Sequence, residues 1–373
     1  MARVMLVHQP VAGGVARHVS DLASGMRAAG HEVILCGPSP LAGAPGDHVE
    51  LRMGRSVSPT GDAPAMRRLT ALVGELAPDL VHAHSSKAGA LARLARLLHP
   101  RVPVVYTPHG YAFAGHFKRE SERRAYRLAE RALAPLASRV IAVCEAEARL
   151  ARGVGPPGRV RVVHNGVGPG GDRAPSGLGG PGAPVVCALT ELRPGKGVEN
   201  LLEAFARPAP ELDHARLTVW GAGPDLEGLR ARAAALGIAE RVTFAGATAD
   251  PLGAIASADV FVLPSLAEAF PYVVLEAMSV ARPVVASDVG GVREALDCGR
   301  AGVLVAPGDV GALATALRSL LSDPNGARAL AAAGAQRVRQ RFGTEQMVQR
   351  TLAVYGELIP LRAGQPSRLP ETE

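Results

Sequence analysis

Aromatic residues make up only 3% of this 373-residue chain, so Val, Leu and Ala must fill whatever core it has. Lysine is scarcer still. Of 41 basic residues only Lys87, Lys118 and Lys196 are lysines, an Arg- and Ala-rich bias that fits a GC-rich genome as well as any function. No 18-residue apolar run free of charge occurs, which excludes a membrane-spanning helix. The opening MARVMLVHQP has too short an apolar stretch, and no small-residue cleavage site, for a signal peptide. It reads as a first β-strand, which places the protein in the cytoplasm. The four cysteines, Cys36, Cys144, Cys187 and Cys298, lie far apart and make no metal spacing. They read as buried thiols. No two aspartates stand two positions apart, so a DxD metal clamp is missing. A net charge of +7 favours anionic substrates or an anionic membrane face. No basic stripe is interleaved with aromatics, so no nucleic acid is expected as a partner.

What is present is an alternation of short apolar runs with Ala/Leu-rich helical stretches, in a chain long enough for two domains. The first half carries expected strands at Arg3–Val7, Glu32–Cys36, Leu80–Ala83, Val102–Thr107 and Val140–Val143. Helices are expected at Val15–Ala29, Ala65–Leu76, Gly89–Leu98 and Arg119–Leu136. The second half repeats the pattern, with strands at Val185–Leu189, Arg216–Trp220, Val242–Ala245, Val260–Leu263, Pro283–Ser287 and Gly302–Val305. Near-continuous apolar strands separated by helices indicate parallel sheets covered on both faces. Between the halves runs NGVGPGGDRAPSGLGGPGAP (165–184), dense in Gly and Pro and without periodicity. The expected organisation is a domain over 1–166, a linker over 167–184 and a second domain over 185–345. A C-terminal helix over 346–360, able to pack back on the first domain, and a disordered tail over 361–373 follow. Two doubly wound α/β domains imply a central cleft lined by the carboxyl ends of their strands.

Four stretches carry candidate chemistry. EAFPYVVLEAM sets Glu268 and Glu276 eight positions apart around an apolar run. The strand DVFVLPS precedes it, and Pro271 suits a first helical position. Glu268 then falls in the loop and Glu276 about a turn into the helix. Either both accept from a hydroxyl-rich ligand, or one is a surface residue and the other a cap. In TELRPGKGVENLLEAF, Gly195 and Gly197 turn the chain into a helix whose N-terminus, with Lys196, suits a phosphate. The alternative is an ordinary turn with an exposed lysine. GAGPDLEGL (Gly221, Gly223) is a further glycine turn between strand and helix. QPVAGGVARHVSDL places Gly13 and Gly14 after the first strand, but no GxGxxG follows that strand and no acid closes the next one, which disfavours a dinucleotide. TPHGYAF puts His109 at a strand's carboxyl end. His82 and His84 in VHAHSSK are metal ligands by type, but no carboxylate accompanies them locally, and they read rather as packing or loop residues. RESERRAYRLAER (119–131) is a basic helix, read as a solvated face with a membrane-surface patch as the alternative.

Together these pieces resemble the retaining glycosyltransferases of the GT4 family. The most specific stretch is FVLPSLAEAFPYVVLEAM, which matches the family's E-x7-E motif. LRPGKGVENLLEAF, GAGP, DVGGVREAL, GVLVAPGD, GGVARHVSDLASGMRAAGHEV and VHNGV support it. VHAHSSKAGALARLAR with VVYTPHGYAF is similar to a branch acting in polysaccharide or glycolipid assembly.

The resemblance implies a GT-B architecture of two Rossmann-like domains, and a donor that is a nucleoside-diphosphate sugar, of the UDP-sugar type. It makes His109, Lys196 and Glu268 the catalytic set. Donor contacts are implied for Gly13, Gly14, Arg193, Lys196, Gly221, Gly223, Glu268, Ala269, Phe270, Pro271 and Glu276. No cofactor and no metal are implied. Its partners are the donor and a hydroxyl-bearing acceptor, and the net positive charge and the basic helix add peripheral contact with the inner face of the membrane as an alternative. Two positions depart from the pattern. Glu191 stands where the family has a diphosphate-binding arginine, so that Arg193 would have to compensate, and Ala281 stands where it has a helix-end glycine. A nucleotide-sugar epimerase of the same fold and a non-catalytic nucleotide-sugar binder are the alternatives to a transferase.

Overall fold

A computed structural model of the chain describes residues 1–41, 43–44, 47–54, 58–115, 119–171 and 182–360. Most of the Gly/Pro-rich linker (172–181) and the expected tail (361–373) lie outside the described residues. The chain divides into two compact units. One joins Met1–Asn165 to the residues from Thr344 onward, and the other is Gly166–Gly343.

The first unit is built on a parallel seven-stranded sheet. Its strands are β1 (Arg3–His8), β2 (Glu32–Gly37), β3 (Asp47–Glu50), β4 (Leu80–His84), β5 (Val104–Thr107), β6 (Arg139–Ala142) and β7 (Val160–Val162). Their order is β3-β2-β1-β4-β5-β6-β7. Successive side chains on a strand point to opposite faces, and β1 shows both faces buried. Val4 and Leu6 join Val19 and Leu22 of the helix Gly14–Ala28. Met5 and Val7 join Leu69 and Leu72 of the helix Pro59–Leu76. The helix Thr344–Gly356 adds Met347, Val348, Val354 and Tyr355 to the first of these clusters. Gly25 permits its close approach, since a Cβ there would collide with Val348.

The second unit holds a parallel six-stranded sheet of β8 (Val185–Leu189), β9 (Arg216–Trp220), β10 (Val242–Gly246), β11 (Val260–Leu263), β12 (Val284–Ser287) and β13 (Val303–Val305), in the order β10-β9-β8-β11-β12-β13. Val186, Ala188, Leu217, Val219, Val260 and Val262 bury one face against Leu201, Leu202 and Phe205 of the helix Val198–Phe205.

Strand order reverses once in each sheet, between β1 and β4 and between β8 and β11. Doubly wound sheets bind ligands beyond the carboxyl ends of the strands at such a reversal. No described helix is long and apolar enough to cross a membrane.

Several elements differ from expectation. The edge strands β3 and β7 and the helix Glu145–Val154 are additional. The helix expected from Ala65 begins at Pro59, because Ser58 caps it through a 3.2 Å hydrogen bond from the Gly61 N–H and Pro64 is tolerated inside it. Three cysteines are buried as expected, but Cys298 is exposed. It sits in a surface turn at φ 57°, between the helix Val292–Ala295 and β13.

Candidate active site

The strands β8 and β11 are neighbours, so the loops leaving their carboxyl ends meet. The Leu266 N–H donates to the Gly195 carbonyl at 2.9 Å. This contact brings Lys196 and Glu268, 72 positions apart, into one place. Lys196 Nζ donates to Glu268 Oε1 at 2.6 Å, and Ser265 Oγ donates to the same oxygen at 2.8 Å. The two charged side chains are only 16% and 14% exposed. With little water around it, such a pair is screened less than a surface one. It holds the ammonium in place beside the N-terminus of the helix Val198–Phe205, where free N–H groups and the helix dipole favour an anion. Glu268 Oε2 has no hydrogen-bond partner among the described residues, which leaves it able to accept from a ligand hydroxyl.

The strap from Glu268 to Pro271 is fixed on both sides. The Ala269 carbonyl accepts from the Gly291 N–H at 2.6 Å. Phe270 is buried, its ring edge-on to Phe342 at 5.3 Å. Pro271 is the N-cap of the helix Tyr272–Ser279 and not, as expected, its first helical residue. Its ψ of 125° is extended, so the helix can start only at Tyr272. Glu276 is on that helix and 3% exposed.

Gly221 and Gly223 act on the same site from below. A Cβ at Gly221 would strike the Thr190 carbonyl oxygen, and one at Gly223 the Leu192 carbonyl. Their bareness lets the β9 loop lie directly on the β8 loop that leads to Lys196. Arg193 is paired with Glu191 at 2.8 Å, both about half exposed. Exposed pairs contribute about 0–1 kcal/mol, so Arg193 can leave this one for a stronger anion.

His109 belongs to the first unit. It follows β5 with φ 54°, a conformation unusual for a residue with a Cβ. The helix starting at Gly14, with Gly13 as its N-cap, carries His18, whose ring lies 4.5 Å from that of His109, edge-on. His84 Nδ1 is 3.1 Å from His109 Nε2. His82 bridges Tyr355 Oη at 2.6 Å and Thr107 Oγ1 at 2.8 Å, a packing role. Burial holds His8 and His18 down to about 4. It also holds His82, His84 and His109 well below the ordinary imidazole value. All five are therefore neutral at pH 7.

Glu147 is a residue the sequence did not flag. Its carboxylate accepts from the Gly110 N–H at 2.6 Å and the Val143 N–H at 2.8 Å, and so fixes the backbone next to His109. Burial pushes its carboxyl up to about 7. No local spacing points to it, because it lies 37 positions from Gly110. Asn165, whose Oδ1 is 3.1 Å from His18 Nδ1, was visible only as part of VHNGV.

Comparison with known proteins identifies the family and the fold. Residues 13–166 match the family model of the glycosyl transferase 4-like domain, and residues 183–323 that of glycosyl transferases group 1. The chain is 32% identical to the phosphatidyl-myo-inositol mannosyltransferase of Mycobacterium leprae over 368 residues, covering 92% of this chain and 93% of that one. It is 30% identical to the alpha-maltose-1-phosphate synthase of Mycolicibacterium smegmatis, covering 92% and 95%. Among solved structures, sucrose-phosphate synthase from Thermosynechococcus elongatus superposes with a TM-score of 0.81 at 25% identity, covering 96% of this chain and 99% of that one. Anabaena HepE, solved with UDP-glucose, has the same fold, with a TM-score of 0.79 at 23% identity, covering 96% and 100%. Relatives this similar over nearly their whole length, on one shared architecture, make this chain an enzyme of the GT4 family of glycosyltransferases, with the GT-B fold.

Proposed function

We propose that the protein moves a sugar from a nucleoside-diphosphate donor, of the UDP-sugar type, to an acceptor hydroxyl with retention of anomeric configuration. The product would be a polysaccharide, a glycolipid or a glycosylated natural product. The observation that carries this reading is the 2.6 Å Lys196–Glu268 pair at the strand-order reversal of the second sheet. On this reading Lys196 and the N-terminus of the helix Val198–Phe205 take the diphosphate, with Arg193 turning to it from Glu191. Glu268 and the backbone of Ala269, Phe270 and Pro271 take the donor sugar, and Glu276 takes the ribose hydroxyls. His109 contacts the transferred sugar, and the turn at Gly13 and Gly14 faces the phosphates. Gly221 and Gly223 keep the Lys196 loop in place.

The chemistry needs no side-chain base. As the glycosidic bond to the diphosphate breaks, negative charge collects on the departing oxygen. That oxygen takes the proton of the acceptor hydroxyl attacking from the same face. The protein supplies positioning and stabilisation of the leaving group, and no metal is assigned to the diphosphate. The mannosyltransferase and maltose-1-phosphate synthase relatives support sugar transfer.

The test is a panel of nucleotide sugars, scored by thermal shift and then by transfer to added acceptors. At least one donor should raise the melting temperature and yield glycosylated product. A donor consumed equally fast without acceptor, or bound and never transferred, would overturn the reading. Glu276→Ala should weaken donor binding about 10- to 100-fold, the worth of a charge-assisted hydrogen bond or two, measured by calorimetry. Unchanged affinity would remove Glu276 from the site.

An anionic membrane face is a further partner on this reading, at the cytoplasmic side. The helix Glu120–Leu133 carries Arg123, Arg124 and Arg127 beside exposed Tyr126 and Leu128. The protein should sediment with vesicles containing anionic lipid and stay in solution with purely zwitterionic ones. Equal behaviour with both would end that part of the reading.

A further inference from the structure

We propose that the first unit binds one divalent transition-metal ion, of the kind imidazole prefers and best matched by zinc, through His18, His84 and His109. The ligand nitrogens of these three residues all lie within 4.8 Å of one another. They come from three elements that the sheet holds together. His84 is the last residue of β4, His109 lies in the loop after β5, and His18 is on the helix that follows β1. The three rings surround one point, with centroids 4.5, 5.3 and 5.3 Å apart.

Two further observations point to a cation. The first is an outer contact. Asn165 Oδ1 lies 3.1 Å from His18 Nδ1, and a carbonyl oxygen can only accept, so the proton is on Nδ1 and the lone pair on Nε2. Metal-binding imidazoles are characteristically oriented in this way by an acceptor on the far nitrogen. The second is an unmet need. His84 Nδ1 and His109 Nε2 face each other at 3.1 Å, where a single hydrogen serves both. His84 Nε2 is then buried with no hydrogen-bond partner among the described residues. A buried polar atom left in that state costs about 1–3 kcal/mol and calls for an explanation. A bound cation supplies one.

The donor set decides which ion. Three neutral imidazoles with no carboxylate or thiolate suit zinc, cobalt, nickel or copper, and not magnesium or calcium. Zinc–nitrogen bonds of about 2.0–2.1 Å place tetrahedral ligands roughly 3.4 Å apart. The widest pair must therefore close by roughly 1.4 Å, which small side-chain rotations achieve. The fourth position stays open to water or a ligand atom. His82 is excluded as a ligand because both its nitrogens are already taken. An ion held here would withdraw His109 from the sugar contact assigned to it above. That consequence rests on the transferase reading, whereas the binding does not.

The experiment uses the full chain with any affinity tag removed, stripped with EDTA and titrated with Zn²⁺ and Co²⁺. One equivalent of each should bind. The cobalt form should show the visible absorption of a four- or five-coordinate site. X-ray absorption of the zinc form should count three imidazole nitrogens at about 2.0 Å. His109→Ala, checked for retained structure by circular dichroism, should weaken zinc binding at least roughly 100-fold. His99→Ala, outside the cluster, should leave it unchanged. No bound ion, a ligand set of oxygens or fewer imidazoles, or wild-type affinity in both His84→Ala and His109→Ala would overturn the proposal. Inhibition of transfer by zinc, reversed by EDTA, would support both readings. Zinc bound through three imidazoles in a protein that transfers no sugar would leave the metal site standing and remove the donor chemistry.

Discussion

Replacing Lys196 with alanine is expected to lower the rate of sugar transfer about 10²- to 10³-fold, with the fold intact. The reason is where the charge goes. A diphosphate leaving group gains negative charge as the glycosidic bond breaks, so a cation placed beside it favours the transition state more than the ground state. Lys196 is the cation best placed to do this in the second unit. It is mostly covered, and Glu268 orients it at 2.6 Å before any ligand arrives. The loss should therefore appear in kcat as well as in KM. Arg193→Ala should cost less, because Arg193 is half exposed and paired with Glu191. The check is steady-state kinetics of both variants, with circular dichroism and melting temperatures beside the parent. If Lys196→Ala retained full activity, the diphosphate would not be held where the reading puts it.

The second large effect concerns pH. The first unit is expected to lose stability as the pH falls below about 6.5, and to unfold in acid before the second. His8 and His18 are held at about 4, and His82, His84 and His109 well below 6.5, all by burial. The same imidazoles titrate near 6.5 in an unfolded chain. As the pH falls below 6.5 the unfolded state takes up protons that the folded state refuses, so stability is lost on the acid side. At pH 5 His8 and His18 each cost about 2 kcal/mol, and His82, His84 and His109, held down by burial, act with the same sign.

Glu147 works in the opposite direction. Its folded value of about 7 means that the native state takes a proton first as the pH falls, which returns about 3 kcal/mol by pH 4.5. Asp21, also raised by burial, has the same sign. Five buried imidazoles outnumber these two carboxyls, so the net effect of acid is a loss of stability in a domain whose whole stability is only about 5–15 kcal/mol. The chain provides its own reporter. Its single tryptophan, Trp220, lies on β9 of the second unit, whereas Tyr106, Tyr111 and Tyr355 are buried in the first. A titration in EDTA should show a loss of ellipticity and tyrosine exposure in acid before Trp220 emission changes. A first unit stable at pH 4 would show that the imidazoles find protonated partners.

The strands β1, β4, β5, β8, β9 and β11 were legible because each is a short apolar run bounded by turn residues. The edge strands were not. Asp47–Glu50 has one apolar residue in four and Val160–Val162 is three residues long, so neither shows a period. On the second sheet the loop glycines, Lys196, and the spacing of Glu268 and Glu276 were readable, since they lie in the loops and the helix that follow apolar strands. The direct pairing of Lys196 with Glu268 was not, because it depends on β8 lying beside β11. The imidazole cluster gave half a signal. His82 and His84, two apart on a strand, must share a face, and their rings lie 4.0 Å apart. The arrival of His18 and His109 beside them is a product of strand order, which no local pattern encodes.

The helix Thr344–Gly356 fills part of the first unit's core although the whole second unit precedes it in the chain. A ribosome therefore delivers residues 1–165 with Val19, Leu22 and Met26 still lacking their cover, and they remain so until residues 344–356 emerge. The second unit, one unbroken stretch, has all its parts first. Synthesis order and folding order are thus crossed, and a fragment ending at Gly343 should need a chaperone that the intact protein does not.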